Sequence, residues 1–559
     1  MKIVQVNTRD IRGGAARAAY RLHQALRQVG EDCQMLVRWQ TILDPTVLAL
    51  TDQDLEVAFD APEWQTIQRH ISRNLTEQAK TLFTLPYPGV DLSAVEAIAQ
   101  ADIIHLHWVS HLISPTSLRS LLDLGKPVVW TLHDMWPFTG GCHYASGCTG
   151  YEQSCELCPQ LRDDPYGLPQ AVLQDRIELL AGYNNLTIVT PSHWLAGVAR
   201  QSRLFGDRRI EVIPNPIETE IFQPLAKASA KKRLGIPPNA FTFVAQSSVE
   251  SRKEFPKLLA AIRRALRNPR FRALADAGRI HFIFFGSQSQ PLDAPDIPFT
   301  HLGWSNRTRQ LVTLYSAGDA FILPSLEDNL PNVMLESISC GTPLIAFDVG
   351  GMPDVIQPNK TGWLAPVGDF EKLAQILLDC ALNPEDCRAL QPLCRQAAEA
   401  HYSMEVIAQR FLTLYRELLP SGSAAVPVAI QSGSEGRGMV GAIAPSATAA
   451  ATLEASPPIT PVDANLGAND NLEAHLAHRI APFDASVGSH FGAIQAPILM
   501  RSLLQESQER QLLERQIQLA ETNLAESQQT IEAMKTSKFW KLRSRWFRLK
   551  QRLGLPAEE

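Results

Sequence analysis

Residues 325–337 read SLEDNLPNVMLES, and residues 340–343 follow with CGTP. The apolar run 320–323 before this stretch predicts a strand, and the residues after Pro331 predict a helix. Two carboxylates, Asp328 and Glu336, lie eight residues apart at this strand-to-helix junction. Ionised carboxylates accept hydrogen bonds from sugar hydroxyls, and the free N–H groups that begin a helix attract phosphate. The stretch therefore indicates a site for a ligand that carries both hydroxyl and phosphate groups.

Short apolar runs alternate with helical stretches on both sides of this junction. They lie at 2–6, 33–37, 103–106, 128–131 and 186–189, and then at 241–245, 281–285, 320–323 and 344–347. Strands separated by helices form parallel sheets. The sequence therefore predicts an α/β protein with two Rossmann-like doubly wound domains facing a cleft, at 1–213 and 214–403, and a closing helix at 404–419.

The composition changes after the closing helix. Residues 421–482 contain no aromatic residue, and such a segment lacks the apolar area that offsets ordering entropy, so 420–499 is predicted to be a disordered linker. Near-heptad spacing predicts a coiled coil at 500–535. The tail 536–559 is predicted to be a basic amphipathic helix, because eight Lys and Arg and no acidic residue lie between positions 535 and 555. This end of the chain favours peripheral contact with anionic lipids, with self-association through 500–559 as the alternative.

Length and charge argue against several protein classes. A chain of 559 residues exceeds what one core stabilises, and a net charge of -6 argues against a nucleic-acid partner. No apolar run approaches the roughly 18 residues of a membrane span. The first residues read as a strand rather than a secretory signal. We therefore expect a cytoplasmic protein, which the basic tail would bring to the inner face of the cell membrane.

The junction resembles a known signature. Its Asp328-x7-Glu336 spacing resembles the acidic-x7-Glu signature of the retaining GT-B glycosyltransferases of family 4, and the likeness continues through 349–354 (VGGMPD) and 361–364 (TGWL). The resemblance covers residues 1–419. It implies a GT-B fold, with a nucleotide-sugar donor on the second domain, an acceptor on the first and a closing helix that crosses back to the first.

The same resemblance implies an activity. A hexosyltransferase of this kind moves a sugar from a nucleotide-diphosphate-sugar to a hydroxyl of a saccharide or lipid-linked acceptor, in polysaccharide or glycolipid assembly at the cell surface. Family members need no metal or other cofactor for catalysis. The acceptor would attack from the face on which the phosphate departs, and the departing phosphate would help to deprotonate the acceptor hydroxyl. The enzyme itself would then mainly orient its substrates.

Within the signature, the resemblance assigns roles to individual residues. Asp328 would bind hydroxyls of the donor sugar, and Glu336 those of the nucleotide ribose. The family usually has Glu at the first of these positions, so Glu327 reaching in through a local bulge is the alternative to Asp328. Asn329 and Leu330, in the same turn, are expected to contact substrate. For Glu336 the alternative is an ordinary carboxylate near a helix start.

Gly13 and Gly14 separate the first strand from the first helix. Glycine lets the backbone approach a ligand closely, and the helix start behind the pair favours anions. A plain tight turn is the alternative explanation. The resemblance implies that the pair faces the donor diphosphate and the acceptor.

His133 follows the run 128–131, at the carboxyl end of a strand, where open α/β sheets bind ligands. The resemblance implies that it hydrogen-bonds the transferred sugar or stabilises charge at its anomeric carbon. A buried structural His is the alternative. For His105 and His107 a structural role is favoured over a metal pair, since no third ligand is evident.

A basic turn with Arg252 and Lys253 follows the first strand of the second domain. A diphosphate leaving group needs positive charge where the glycosidic bond breaks, and by resemblance Lys253 supplies it. The family usually has an Arg five or six residues earlier, where this chain has Ser247 and Ser248. Arg252 or the serine hydroxyls are the candidates for the role of the missing Arg. The alternative for Arg252 and Lys253 together is a solvated basic turn without a ligand.

Four cysteines lie close together in the loop 139–160, with the spacing C-x5-C-x6-C-x2-C. They are Cys142, Cys148, Cys155 and Cys158. Four thiolates complete a tetrahedral zinc site, which orders a loop that has no core of its own. A structural zinc is therefore expected, with disulfides and unliganded thiols as alternatives. Such a metal has no open position for chemistry.

Three other functions remain compatible with the sequence. A nucleotide-sugar 2-epimerase has a related architecture but needs no acceptor. A non-catalytic GT-B-like scaffold would explain Asp328 and the missing Arg. A glycan-binding module would bind oligosaccharide without cleaving a nucleotide-sugar. The sequence favours the glycosyltransferase over all three.

Overall fold

The computed structural model describes residues 1–51, 62–286, 294–305, 307–419, 488–491, 498 and 516. These residues form two α/β lobes, each built on one parallel sheet, which confirms the predicted fold class. Within the described part of the chain, no helix combines the length and the apolar character that a membrane span requires. The predicted coiled coil (500–535) and basic tail (536–559) lie outside the described residues, apart from residue 516.

The first lobe contains a seven-stranded parallel sheet in the order β3-β2-β1-β4-β5-β6-β7. Its strands are β1 (Lys2–Arg9), β2 (Asp32–Trp39), β3 (Val47–Ala49), β4 (Ile103–Leu106), β5 (Val128–Thr131), β6 (Leu186–Thr190) and β7 (Ile210–Val212). Its helices are α1 (Gly14–Gln28), α2 (Pro62–Asn74), α3 (Glu96–Gln100), α4 (Pro115–Asp123), α5 (Leu168–Leu179) and α6 (His193–Gln201).

The second lobe contains a six-stranded parallel sheet in the order β10-β9-β8-β11-β12-β13. Its strands are β8 (Phe241–Ser247), β9 (Ile280–Gly286), β10 (Phe299–His301), β11 (Ala320–Leu323), β12 (Leu344–Phe347) and β13 (Gly362–Ala365). Its helices are α7 (Lys227–Arg233), α8 (Phe255–Ala265), α9 (Pro269–Asp276), α10 (Thr308–Ala317), α11 (Asn332–Ser339), α12 (Met352–Val355), α13 (Phe370–Leu382) and α14 (Pro384–Tyr402).

The four strands that the sequence analysis missed are the edges of the two sheets. They are β3, β7, β10 and β13. The interior strands β4, β5, β11 and β12 are buried along their whole length, so they read as continuous apolar runs. The edge strands are short and half-exposed, and their sequences carry no such run.

The sheet order places the candidate residues together. In each lobe the order reverses beside the first strand, between β1 and β4 and between β8 and β11. Ligands of open α/β sheets bind at the carboxyl ends of the strands where the order reverses. Gly13 and Gly14 follow β1, Lys253 follows β8 and Asp328 follows β11.

The closing helix α15 (Met404–Leu418) packs on the first lobe. Ile407, Phe411 and Tyr415 are buried against β1, α1 and β4. The Tyr415 hydroxyl lies 2.7 Å from Nδ1 of His105. Because α15 comes after the second sheet in the chain, this packing ties the end of the second lobe back to the first.

The predicted linker 420–499 is wrong at its far end. Phe491 and Ile498 are buried in an apolar cluster of the first lobe, at 0% and 1% exposure. The prediction rested on a lack of aromatic and other apolar residues. That lack ends before these two residues, which supply the apolar area needed for ordering.

Candidate functional site

Asp328 lies where the two lobes meet. Its carboxylate pairs with Arg252 at 2.8 Å, and both side chains are nearly buried. From the first lobe, the Tyr144 hydroxyl donates to Oδ1 of Asp328 at 3.3 Å. Burial alone would raise the pKa of Asp328, but Arg252 and Lys253 outweigh it and the pKa lies below its usual value. Asp328 is therefore an ionised acceptor at the lobe interface.

Arg252 is engaged within the protein. Its guanidinium also pairs with Glu250 at 2.8 Å and donates to the backbone carbonyl of Glu327 at 2.8 Å. It lies over the Tyr144 ring, 4.8 Å from the centroid. These contacts fix Asp328 and the turn around it, so in this conformation Arg252 acts as a clamp on the turn.

Glu327 and Asn329 point to different parts of the first lobe. Oε2 of Glu327 accepts from the backbone N–H of Ser146 at 3.2 Å, in the cysteine-rich loop. The amide of Asn329 accepts from the Ser192 hydroxyl at 2.6 Å and donates to the backbone carbonyl of His133 at 3.1 Å. Asp328, rather than Glu327, is therefore the residue next to Tyr144, and Asn329 links the turn to His133.

Leu330 lies apart from this polar layer. Its side chain is buried in the core of the second lobe, and it also lines a cavity of about 260 Å³ with His193, Asp354 and Tyr402. That cavity lies between the lobes on the side of Pro214 and α14.

Glu336 is deeply buried and crosses the lobe boundary. Its Oε1 pairs with Arg21 of α1 at 2.8 Å, and its Oε2 accepts from the Tyr315 hydroxyl at 2.8 Å. Arg21 pairs in addition with Glu218 at 2.6 Å. Both oxygens of Glu336 therefore already have a partner in this conformation.

The glycine loop faces the start of α11. Gly13 has a φ of 106°, which favours glycine, and a Cβ there would meet nothing within 4 Å. The amide of Asn332 donates to the backbone carbonyl of Gly14 at 2.8 Å. No side chain caps the first turn of α11, and the Asn332 contact brings the glycine loop next to that turn.

His133 stands at the half-buried end of a row of imidazoles whose other members, His105 and His107, are buried. Its Nε2 lies 3.2 Å from Nδ1 of His107. His105 bonds to Thr131 at 2.7 Å and to Tyr415, so His105 and His107 do not form a metal pair. Burial lowers the pKa of His133 to about 4, and the pKa of His107 is also lowered. At neutral pH His133 is therefore an uncharged imidazole.

Lys253 differs from Arg252. Its ammonium donates to Oε1 of Gln246 at 3.3 Å, and among the described residues no carboxylate lies within ion-pair distance of it. The serines at the usual Arg position are used inside the fold, because Ser247 bonds to His301 at 3.0 Å and Ser248 accepts from the Glu250 N–H at 3.1 Å. Lys253 is thus the cation of this turn that can serve a ligand.

The four loop cysteines surround one small cavity of about 20 Å³. All four are free thiols. Burial raises the pKa of Cys142, Cys155 and Cys158, that of Cys155 to about 12. In the described part of the chain, no group of three or more His, Cys, Asp or Glu is arranged to hold a metal ion. The predicted structural zinc is not supported.

Sequence reasoning missed the partners that hold the site residues. These are Arg21, Tyr144, Ser192 and Tyr315. Arg21 gave one signal, because it falls among the buried alanines and leucines of α1, and a buried Arg requires an acidic partner. The others lie on ordinary helical or loop sequence and gave none.

Family models match most of both lobes. Residues 12–221 match the model of glycosyltransferase family 4, and residues 238–383 match the model of glycosyl transferases group 1. The chain is 25% identical over 451 residues to WcaC of Escherichia coli (strain K12), whose name places it in colanic acid biosynthesis as a glycosyl transferase. The match covers 75% of this chain and 100% of WcaC.

A second relative and two solved structures are also similar to this chain. A D-inositol 3-phosphate glycosyltransferase of Saccharomonospora viridis is 29% identical over 224 residues, 38% of this chain and 50% of that protein. A glycosyltransferase from Rickettsia africae superposes with a TM-score of 0.52 at 15% identity, over 75% of this chain and 99% of that one. Sucrose-phosphate synthase from Thermosynechococcus elongatus superposes with a TM-score of 0.51 at 19% identity, over 74% of this chain and 98% of that one. These structures share the fold of the chain.

Proposed function

The chain belongs to the GT-B glycosyltransferases, and on that premise we propose that it is a retaining enzyme that uses a nucleotide-diphosphate-sugar. The donor would lie mainly on the second lobe and the acceptor, a saccharide or a lipid-linked saccharide, on the first. The relationship to WcaC supports a role in assembling cell-surface polysaccharide or glycolipid. The observation that carries the proposal is at the carboxyl ends of the two sheets. There Asp328 lies within the electrostatic influence of Lys253, and the neighbouring Asn329 bonds to the backbone carbonyl of His133.

Lys253 is proposed to stabilise the leaving diphosphate. Negative charge grows on that group as the glycosidic bond breaks, and a fixed cation in a water-excluded site lowers the energy of that charge. The uncapped N–H groups of α11 and the glycine loop opposite them would hold the same phosphates. Lys253 suits this role because no carboxylate of the described residues lies within ion-pair distance of it.

Asp328 and His133 are proposed to orient the transferred sugar. Ionised Asp328 accepts hydrogen bonds from sugar hydroxyls, and its position is fixed by Arg252 and Tyr144. Neutral His133 can donate to, or accept from, a hydroxyl without adding charge at the anomeric carbon. Holding the sugar in the reactive orientation in this way lowers the free-energy barrier to transfer.

Glu336 is proposed to bind the ribose after the lobes move apart. A carboxylate offers about four lone-pair sites, so Arg21 and Tyr315 leave acceptor capacity on Glu336. Its burial means that donor binding must first loosen the contact between the lobes. Lobe opening and closure is a common step in two-domain enzymes, and closure then excludes water from the reaction.

Retention is proposed to occur by attack on the same face of the sugar. A double displacement needs a carboxylate free to reach the anomeric carbon. Asp328 is held by Arg252, and Asp134 is held by His143 at 2.7 Å and by Trp108 at 2.9 Å. With both carboxylates restrained, the leaving phosphate is the base that we propose for the acceptor hydroxyl.

The test is the anomeric outcome of a transfer reaction. The full-length protein would be incubated with uridine-, guanosine- and adenosine-diphosphate sugars and a saccharide acceptor, and the new linkage analysed by NMR coupling constants. The proposal predicts a product with the anomeric configuration of the donor. An inverted product would refute the retaining mechanism, and a sugar epimerised without acceptor would refute transfer.

The composition of the tail supports a peripheral membrane location in addition. Residues 535–555 carry eight basic and no acidic side chains, a pattern that favours anionic lipid. Deleting residues 500–559 would then abolish sedimentation with vesicles of anionic phospholipid. Unchanged sedimentation of the shortened protein would discard this part of the proposal.

A further inference from the structure

A short segment far along the chain is buried in the first lobe. The Phe491 ring is fully buried and stacks on Tyr87, with ring centroids 4.8 Å apart, and it lies parallel to Trp64 at 6.1 Å. Ile498 is 1% exposed in the same cluster. We define the socket as the part of this cluster contributed by the first lobe, which comprises Trp64, Ile67, Ile71, Phe83, Leu85, Tyr87, Leu161, Leu168 and Val172.

The same segment also forms hydrogen bonds with buried polar groups of the first lobe. Asp175 on α5 is 1% exposed, and its two oxygens accept the backbone N–H groups of His490 at 2.9 Å and Phe491 at 3.1 Å. The Tyr87 hydroxyl donates to Asp175 at 3.0 Å and accepts the Gly488 N–H at 3.0 Å. A buried carboxylate without such donors is costly, so the socket is chemically complete when the segment occupies it.

The fit depends on a glycine. A Cβ added at Gly488 would lie 2.2 Å from Cγ of Asp175. At that distance any other residue would displace either the segment or the carboxylate. The socket therefore selects for this sequence, with glycine at 488 and an aromatic ring at 491.

The socket lies behind the candidate acceptor face. Between two of its residues, Phe83 and Leu85, the Thr84 hydroxyl bonds to His143 at 2.8 Å, and His143 bonds to Asp134. The Thr84 carbonyl accepts from the Trp136 indole at 2.8 Å. The socket thus adjoins, through Thr84, the hydrogen bonds that hold Asp134.

We infer that residues 488–491, together with Ile498, dock in the socket of their own chain and tether the C-terminal part of the protein beside the acceptor face of the first lobe. The connection permits this within one chain. Residues 420–487 number 68, and even treated as a flexible coil a chain of that length spans about 45 Å. Because α15 already ends on the first lobe, the segment reaches the socket at a high effective concentration.

The test separates docking from covalent connection. A specific protease site is inserted after residue 455 of the full-length protein, the chain is cut, and the two fragments are analysed by size exclusion with mass measurement. The wild-type fragments are expected to co-elute with the mass of one chain. Phe491→Ala and Gly488→Val are expected to release the C-terminal fragment, while Ser489→Ala, at an exposed neighbour, is expected to behave as wild type.

Three results would overturn the inference. They are separation of the wild-type fragments, retention of the fragment by both variants, and exchange of the segment between two chains, seen as a dimer that the variants convert to monomer. Thermal unfolding of the uncut variants checks that the lobes remain folded. Since no step uses a sugar substrate, the result is independent of the proposed function.

Discussion

Arg21 of the first lobe and Glu336 of the second form an ion pair of 2.8 Å with side chains that are 1% and 4% exposed. The residues are 315 positions apart. Tyr315 donates a further hydrogen bond to Glu336, and Glu218 forms a second ion pair with Arg21. A buried pair of this kind holds the lobes together only while both charges are present.

Replacing Arg21 therefore destabilises the closed protein. In Arg21→Met the carboxylates of Glu336 and Glu218 lose their cation, and we expect the free energy of unfolding to fall by about 3 kcal/mol. Urea denaturation measures this value. Arg12→Gln, at an exposed position, is the control and should leave stability unchanged. Equal stability of Arg21→Met and wild type would contradict the assignment.

The Asp328–Arg252 pair predicts a pH dependence. Since the pKa of Asp328 is below its ordinary value of 3.8 in the folded protein, the unfolded chain takes up the proton first as the pH falls. The pair therefore stabilises the fold above pH 3.8 and this stabilisation is lost at lower pH.

Asp328→Asn tests that dependence. At pH 7 the variant should be less stable by about 2 kcal/mol, because a charged partner of Arg252 is lost. The difference should shrink as the pH is lowered below 3.8. A difference that is constant from pH 7 to pH 3 would mean that the carboxylate charge plays no part.

The lowered pKa of the His133 imidazole predicts a flat activity profile near neutral pH. Its pKa is about 4 instead of 6.5, so His133 stays neutral over the range in which an exposed His titrates. We expect kcat to show no ionisation of His133 between pH 5.5 and 8. In the same range the His contributes to stability, which falls as the pH drops below 6.5 because only the unfolded chain binds the proton.

His107→Phe should change this behaviour. It removes the hydrogen bond that orients His133, so kcat should fall while the KM for the donor is unchanged. His107→Gln should restore part of the activity. If the variant changed only the KM for the donor and left kcat unchanged, His107 would not act on the reacting sugar through His133.

Lys253 predicts a loss of rate without loss of stability. Lys253→Ala removes the proposed stabilisation of the leaving phosphate, and we expect kcat to fall roughly 100-fold or more. Thermal stability should be unchanged, since the ammonium makes one side-chain hydrogen bond, to Gln246. Lys257→Ala on α8, where an exposed Lys pairs with Glu254, is the matched control. Equal kcat for the two variants would exclude the proposed role.

The sequence predicted the interior of both sheets. Continuous apolar runs identified β4, β5, β11 and β12, and the acidic spacing singled out Asp328 and Glu336, whose roles stay a prediction. Edge strands such as β3 and β13 were missed, because half-exposed strands carry no such run. The partners of the site residues could not be derived either. The pairing of Arg21 with Glu336 depends on how two lobes meet, which no local pattern records.

Donor binding by the full-length protein tests the central claim most directly. Titration calorimetry with uridine-, guanosine- and adenosine-diphosphate sugars should identify one that binds with one site per chain. Lys253→Ala and Glu336→Ala should weaken that binding at least 10-fold, about 1.4 kcal/mol, and Arg12→Gln should not. Binding of equal strength in all four proteins, or no binding of any of these donors, would contradict the account.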